Sequence, residues 1–119
     1  QDIGMEVTEI APNEHDEIVA HISHLPHLLA STLCSYLANQ PVALGELSGH
    51  GLRDTTRVAA GDPDLWQQIL QQNSEAILRA VEGYEVALQA FKEALKQSDS
   101  DRTKRLLQLG KQYRDGLNR

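Results

Sequence analysis

Apolar positions recur at helical spacing through most of the chain, which predicts an all-α protein. From about Glu14 to Asn39, Ile18, Ile22, Leu25, Leu29, Leu33 and Leu37 return every three or four residues, the spacing of one helix face. Pro12-Asn13 precedes this stretch and offers Asn13 as a cap, with Glu14, Asp16 and Glu17 suited to a first turn. Pro26 stands in its middle. Interior proline removes a hydrogen bond, so a bend is expected beside Ser23, His24 and His27. Gln40-Pro41 ends the helix, and Val42 to Leu47 has room for a short helical turn. Gly45, Gly49 and Gly51 then predict irregular or weakly helical chain up to Gly61.

Asp62-Pro63 is a strong helix start, with Asp62 as N-cap and Pro63 at the first helical position. The stripe that follows is Trp66, Leu70, Asn73, Ile77, Ala80, Tyr84, Ala87, Phe91 and Ala94, widened by Ile69, Val81, Leu88 and Leu95. Its steps alternate four and three, as in a heptad seam. One helix to about Gln97 would be roughly 50 Å long, against a radius of gyration near 13 Å for a domain of this size. A partner subunit is the expected cover for the surplus stripe, and a two-fold dimer is the commonest arrangement. Ser98-Asp99-Ser100-Asp101 breaks the pattern and caps a last helix, about Arg102 to Asp115, whose face carries Leu106, Leu109, Tyr113 and Leu117. At the other end, Gly4 to Ile10 reads as a short strand with nothing here to pair with.

Composition narrows the function classes. Aromatic content is 4% against 40% hydrophobic, so the core must come from Leu, Ile, Val and Ala. Eleven basic residues against seventeen acidic ones give a net charge of −6, which disfavours nucleic acid as a partner. Cys34 is the only cysteine; it excludes an internal disulfide framework and suits a reducing compartment. No apolar run nears the roughly 20 residues of a membrane span, and a cytoplasmic location is expected. The 119 residues suit one domain, and a start without Met suggests a piece of a longer protein.

Two stretches carry candidate chemistry. His21, His24 and His27 fall within about 120° of one helix face. That spacing is compatible with a metal site, with solvated or core histidines, or with a polar small-molecule pocket, and it does not choose among them. The stretch Gly51-Leu52-Arg53-Asp54-Thr55-Thr56-Arg57 packs two arginines, an aspartate and two hydroxyls into an expected turn. It reads either as a surface loop with self-compensating charges or as an anion clamp, one arginine oriented by Asp54 and the other meeting the ligand. Gly49-His50-Gly51 lacks the spacing of a nucleotide-binding loop. Trp66 is expected in a core, an interface or a pocket wall. Asn73 interrupts the stripe, either to fix register at a dimer seam or to bond a loop.

Three blocks together resemble the C-terminal domain of prephenate and arogenate dehydrogenases. They are His15-Asp16 with Ser23-His24-Leu25-Pro26-His27, then Gly51 to Arg57, then Asp62-Pro63-Asp64-Leu65-Trp66 with Asn73. The resemblance covers roughly Gly4 to Leu95. It implies an all-α dimerisation domain of the phosphogluconate dehydrogenase C-terminal-like fold, with one very long helix, intertwined as a homodimer. Residues 1–12 would be the end of a missing Rossmann domain and its linker, and 13–119 the helical domain. The implied reaction is oxidative decarboxylation of prephenate or arogenate, with hydride passing to NAD or NADP bound by the missing domain. The family's catalytic histidine would lie in that domain too, so this chain alone is expected to be inactive. What the resemblance assigns here is substrate binding: Arg57 for a substrate carboxylate, Ser23, His24 and His27 lining the pocket, Asp54 orienting the loop or gating entry, Trp66 walling the pocket from its own chain or across the dimer. The competing view is a stand-alone helical dimer module with a histidine-lined ligand or metal site.

Overall fold

The computed structural model describes residues 11–117, and every regular element in that range is helical. In order these are α1 (Pro12–Val19), a π turn (Ala20–His24), α2 (Leu25–Ala38), a 3-10 turn (Leu44–Leu47), α3 (His50–Thr56), a second 3-10 turn (Arg57–Ala60), α4 (Pro63–Gln72), α5 (Ser74–Lys96) and α6 (Ser100–Gly116). The strand expected at Gly4 to Ile10 lies outside the described residues.

The first helix begins two residues earlier than expected, with Ala11 rather than Asn13 in the cap position and Pro12 in the first turn. Pro26 stands in the first turn of α2 and does not end the helical run. The hydrogen-bond ladder steps out instead, the Leu25 N–H reaching back to the Ala20 carbonyl. A π turn is a common way to place an extra residue within a helix, and it is frequent at functional sites. It makes room for the proline ring and brings Ser23 and His24 onto the widened turn.

Two expectations need correction. The stretch Gly51 to Arg57 is not an irregular turn: it is helix α3 continuing into a 3-10 turn that packs on α2. Gly51 falls in the first turn of α3, and Gly49 precedes it as the extended cap residue. Leu52 and Thr56, one turn apart, line a cleft with Cys34 and Leu37 of α2, so tertiary packing outweighs the glycine propensity. The single long helix is also two. It breaks at Asn73 (φ −123°, ψ 32°) into ten residues of α4 and twenty-three of α5. Even so, α5 alone is about 35 Å long.

The residues up to Val81 form one compact unit and those from Glu82 onward a second. In the first, Ala20, Ala76 and Ile77 are buried together, with Leu28, Leu70 and Val81 packed against them. Small residues dominate, so elements approach closely but little apolar area is removed from water. Arg79 of α5 pairs with Glu17 of α1, its Nε donating at 2.6 Å, and so ties the two helices at the surface. The Asp62 cap forms as expected, its carboxylate accepting from the Asp64 N–H at 3.1 Å.

In the second unit α5 ends on a Schellman motif. The Asp99 N–H bonds the Ala94 carbonyl (2.9 Å) and the Ser98 N–H the Leu95 carbonyl (3.2 Å), with Ser98 at φ 53°. A left-handed position favours glycine, so Ser98→Gly is expected to raise stability by about 0.5–1 kcal/mol, read as a higher urea midpoint. Asp99 then caps α6 through the Arg102 N–H at 3.0 Å. Leu95, Leu109 and Tyr113 are each more than 60% exposed, so the apolar faces foreseen on α5 and α6 are left open to solvent. No described helix is long and apolar enough to cross a membrane.

Candidate functional site

The π turn and the start of α4 bring three rings together. His27 stacks on Trp66 with centroids 3.7 Å apart and planes 11° from parallel, and His24 meets the same indole edge-on at 6.1 Å and 82°. His24 and His27 are three residues apart, so both reach one face of their helix. Trp66 arrives because Asp62 and Pro63 start α4 where they do, one turn earlier. Gly61, just before that cap, lies against the stack: a Cβ there would sit 3.0 Å from the indole nitrogen and 3.1 Å from the His27 ring. Its backbone (φ −64°, ψ 162°) suits any residue, so close approach is the reason for glycine. Gly61→Ala is expected to push the rings apart and cost about 1 kcal/mol, overpacking outweighing the entropy lost from the unfolded chain. Altered fluorescence of Trp66, the chain's only tryptophan, would register it.

His27 is only 7% exposed. Burial pushes its pKa below the ordinary imidazole value of 6.5, because the charged ring would lose water without gaining a partner. The folded state therefore resists protonation while the unfolded chain accepts it. The resulting stability is complete above about pH 6.5 and is lost as pH falls toward the depressed folded value. Wild type should show a falling melting temperature across that window, and His27→Phe, which keeps a ring on Trp66, should show a shallower fall. Identical slopes would contradict the assignment.

A cleft of about 410 Å³ opens beside the rings, lined by Ser23, His24, His15, Asp16, Gln72 and Asn73 among others. Asn73 is the centre of its polar bonding. Its amide nitrogen donates to the Asp16 carbonyl at 2.9 Å and lies 3.3 Å from His24 Nδ1. These bonds explain the helix break, since the side chain serves α1 and the π turn rather than its own helix. Of the two roles weighed for Asn73, the structure has it bonding a neighbouring segment.

Not every candidate residue joins this group. Arg57 opens the 3-10 turn that leads to Gly61 and packs on α2, and it is exposed. Its guanidinium makes no hydrogen bond or ion pair with the described residues. Asp54, on the exposed side of α3, is likewise unpaired, so it does not orient either arginine as expected. Three residues of 3-10 turn lie between Arg57 and Gly61, about 8 Å of rise from one to the other. The arrangement therefore offers an aromatic wall, a polar cleft and an uncommitted cation on the adjoining turn.

The three histidines do not converge on a point. His21 turns back to the Glu17 carbonyl (Nδ1 to O, 2.8 Å), His24 goes to Asn73, and His27 to Trp66. Among the described residues no group of three or more histidines, cysteines or carboxylates has metal-binding geometry. A dinucleotide cradle is also missing from the described helices, since none follows a strand through a glycine-rich turn. Two contributors escaped the sequence reading. Gly61 left no signal beyond its place before Asp62-Pro63. The link between Asn73 and His24 left one, a polar residue in an apolar stripe.

Comparison with known proteins identifies the family. Residues 11–109 match the family described as prephenate dehydrogenase, dimerization domain. The prephenate dehydrogenase of Bacillus subtilis (strain 168) is 31% identical over 112 residues, 92% of this chain and 30% of that protein. The cyclohexadienyl dehydrogenase of Zymomonas mobilis is 31% identical over 105 residues, 85% of this chain and 36% of that protein. The chain thus spans about a third of the length of these curated relatives. Among solved structures, arogenate dehydrogenase from Synechocystis superposes with a TM-score of 0.85 at 29% identity, covering 91% of this chain and 41% of that one. Prephenate dehydrogenase from A. aeolicus, in complex with hydroxyphenyl propionate and NAD+, gives 0.85 at 32% identity, covering 91% and 39%. A match over most of the chain, on a helical fold that these structures share, places this protein in the prephenate dehydrogenase dimerization-domain family.

Proposed function

We propose that this chain is the substrate-binding and dimerisation part of a prephenate dehydrogenase, an enzyme that oxidatively decarboxylates prephenate to 4-hydroxyphenylpyruvate in tyrosine biosynthesis. The observation that carries the proposal is the cluster of His24, His27 and Trp66 packed on Gly61, with Arg57 unpaired on the turn leading to it. Prephenate is a cyclic dicarboxylate. An aromatic wall suits its ring, and a planar guanidinium suits a carboxylate in two parallel bonds. Ser23 and His24 supply polar contacts from the cleft, and Asp54 at the exposed end of α3 sits where it can tune entry.

In this reading NAD or NADP is held by another part of the parent protein, to which residues 1–12 would join the helical domain. The cofactor supplies hydride acceptance when bound there. The work of residues 13–119 is to bind the substrate, orient it and keep water from it. An arogenate-preferring enzyme is the second reading, favoured by the likeness to the Synechocystis structure. The two substrates differ only by a keto or an amino group on the side chain.

The exposed apolar faces of α5 and α6 support dimerisation. Large side chains such as Leu88 and Tyr113 stand in solvent on helices whose own unit cannot cover them, and patches of this kind mark interaction surfaces. A homodimer in the cytoplasm, with neither nucleic acid nor membrane as partner, fits the acidic balance of the chain. Light scattering on the parent at micromolar concentration should give twice the chain mass. The functional test is nicotinamide reduction by the parent with prephenate and arogenate side by side. Turnover of either supports the proposal and identifies the substrate, whereas a folded, cofactor-bound parent that turns over neither would reject it.

A further inference from the structure

We infer that Asn73 is a positioning residue that fixes His24 as its Nε2–H tautomer and so makes it a neutral hydrogen-bond donor for a ligand oxygen. The donor role rests on the proposed substrate pocket; the tautomer stands on geometry alone. A carboxamide nitrogen carries two hydrogens and accepts nothing. Asn73 Nδ2 spends one on the Asp16 carbonyl at 2.9 Å. A carbonyl only accepts, so the amide cannot be turned the other way without setting two oxygens face to face. The second hydrogen falls to His24 Nδ1 at 3.3 Å. Facing a donor, Nδ1 must accept, and the hydrogen of the neutral ring then sits on Nε2.

That nitrogen has no hydrogen-bond partner among the described residues, and its ring lines the cleft with Ser23. A neutral Nε2–H gives a hydrogen bond but cannot take a proton at that atom. His24 is therefore built to hold an acceptor oxygen, a carboxylate or a keto group, and not to act there as a base. His21, three residues earlier, provides the contrast. Its Nδ1 faces the Glu17 carbonyl at 2.8 Å, so the hydrogen is on Nδ1. Neighbours set opposite tautomers on successive turns of one helix.

Two-bond nitrogen–proton correlation spectra of the parent, labelled with 15N-histidine, report the tautomer directly, and the signals lost in His24→Gln identify those of His24. The expected wild-type pattern is Nε2–H. Asn73→Asp offers only acceptors to Nδ1, and should convert His24 to Nδ1–H or to imidazolium while raising KM for prephenate about tenfold, with kcat changed less. Asn73→Ala removes the constraint without imposing the reverse, and should give a mixture of tautomers and a smaller rise in KM. An Nδ1–H pattern in wild type, or an unmixed Nε2–H pattern in Asn73→Ala, would overturn the inference; these two spectra decide even if Asn73→Asp does not fold. A parent inactive on both substrates would reject the proposed function in the assay, while the spectra would still report on Asn73.

Discussion

Arg57→Lys in the full-length parent is expected to raise the Michaelis constant for prephenate about 10- to 150-fold, the equivalent of 1.5–3 kcal/mol for hydrogen bonds to a charged group. The charge survives this substitution, so electrostatic attraction alone cannot account for a loss of that size. What disappears is the planar fork that meets both oxygens of a carboxylate, which a single ammonium cannot replace. Arg57 has no partner to release in the described structure, so nothing within the chain is left uncompensated by its removal. The effect should accordingly fall on substrate binding, with an unchanged melting temperature. An unchanged Michaelis constant would remove Arg57 from the site.

The second large effect is on stability. Ile77→Ala is expected to cost about 2–5 kcal/mol, the range for truncating a well-buried branched side chain. Ile77 is 5% exposed and is the largest side chain in a cluster otherwise formed by Ala20 and Ala76. With so few apolar groups buried, little remains to collapse into the space. The same cluster supports Ala20, where the π turn begins, so the variant should also weaken substrate binding through a looser His24. The first unfolding transition of the parent in urea measures the stability. A loss below about 1 kcal/mol would mean that another surface, such as the dimer contact, carries the burden that this cluster is assigned.

The helical class was legible because it depends on periodicity, and Asp62-Pro63 marked the start of α4 because capping is local chemistry. Ser98 to Asp101 likewise announced the turn before α6. Features that depend on distant partners were not legible in the sequence. Asn73 stood out as a polar residue interrupting a heptad stripe, but only its bond to Asp16, 57 residues away, explains why α4 and α5 are separate. Gly51 looked like a turn, but packing of Leu52 and Thr56 beside α2 makes the segment helical. At the site, the three-residue spacing put His24 and His27 on one face, which the stack on Trp66 uses. That spacing could not say that His21 would turn away to its own backbone. Nor could composition separate an arginine paired with Asp54 from the unpaired Arg57 that the structure presents.

A crystal structure of the parent with NAD+ and a hydroxyphenyl carboxylate bound would show whether these residues hold the substrate. The expected result is the ligand carboxylate in the fork of Arg57, its ring beside Trp66, and His24 Nε2 within hydrogen-bond distance of a ligand oxygen. A carboxylate held by other residues, with Arg57 turned to solvent and the cluster of His24, His27 and Trp66 away from the ligand, would contradict it.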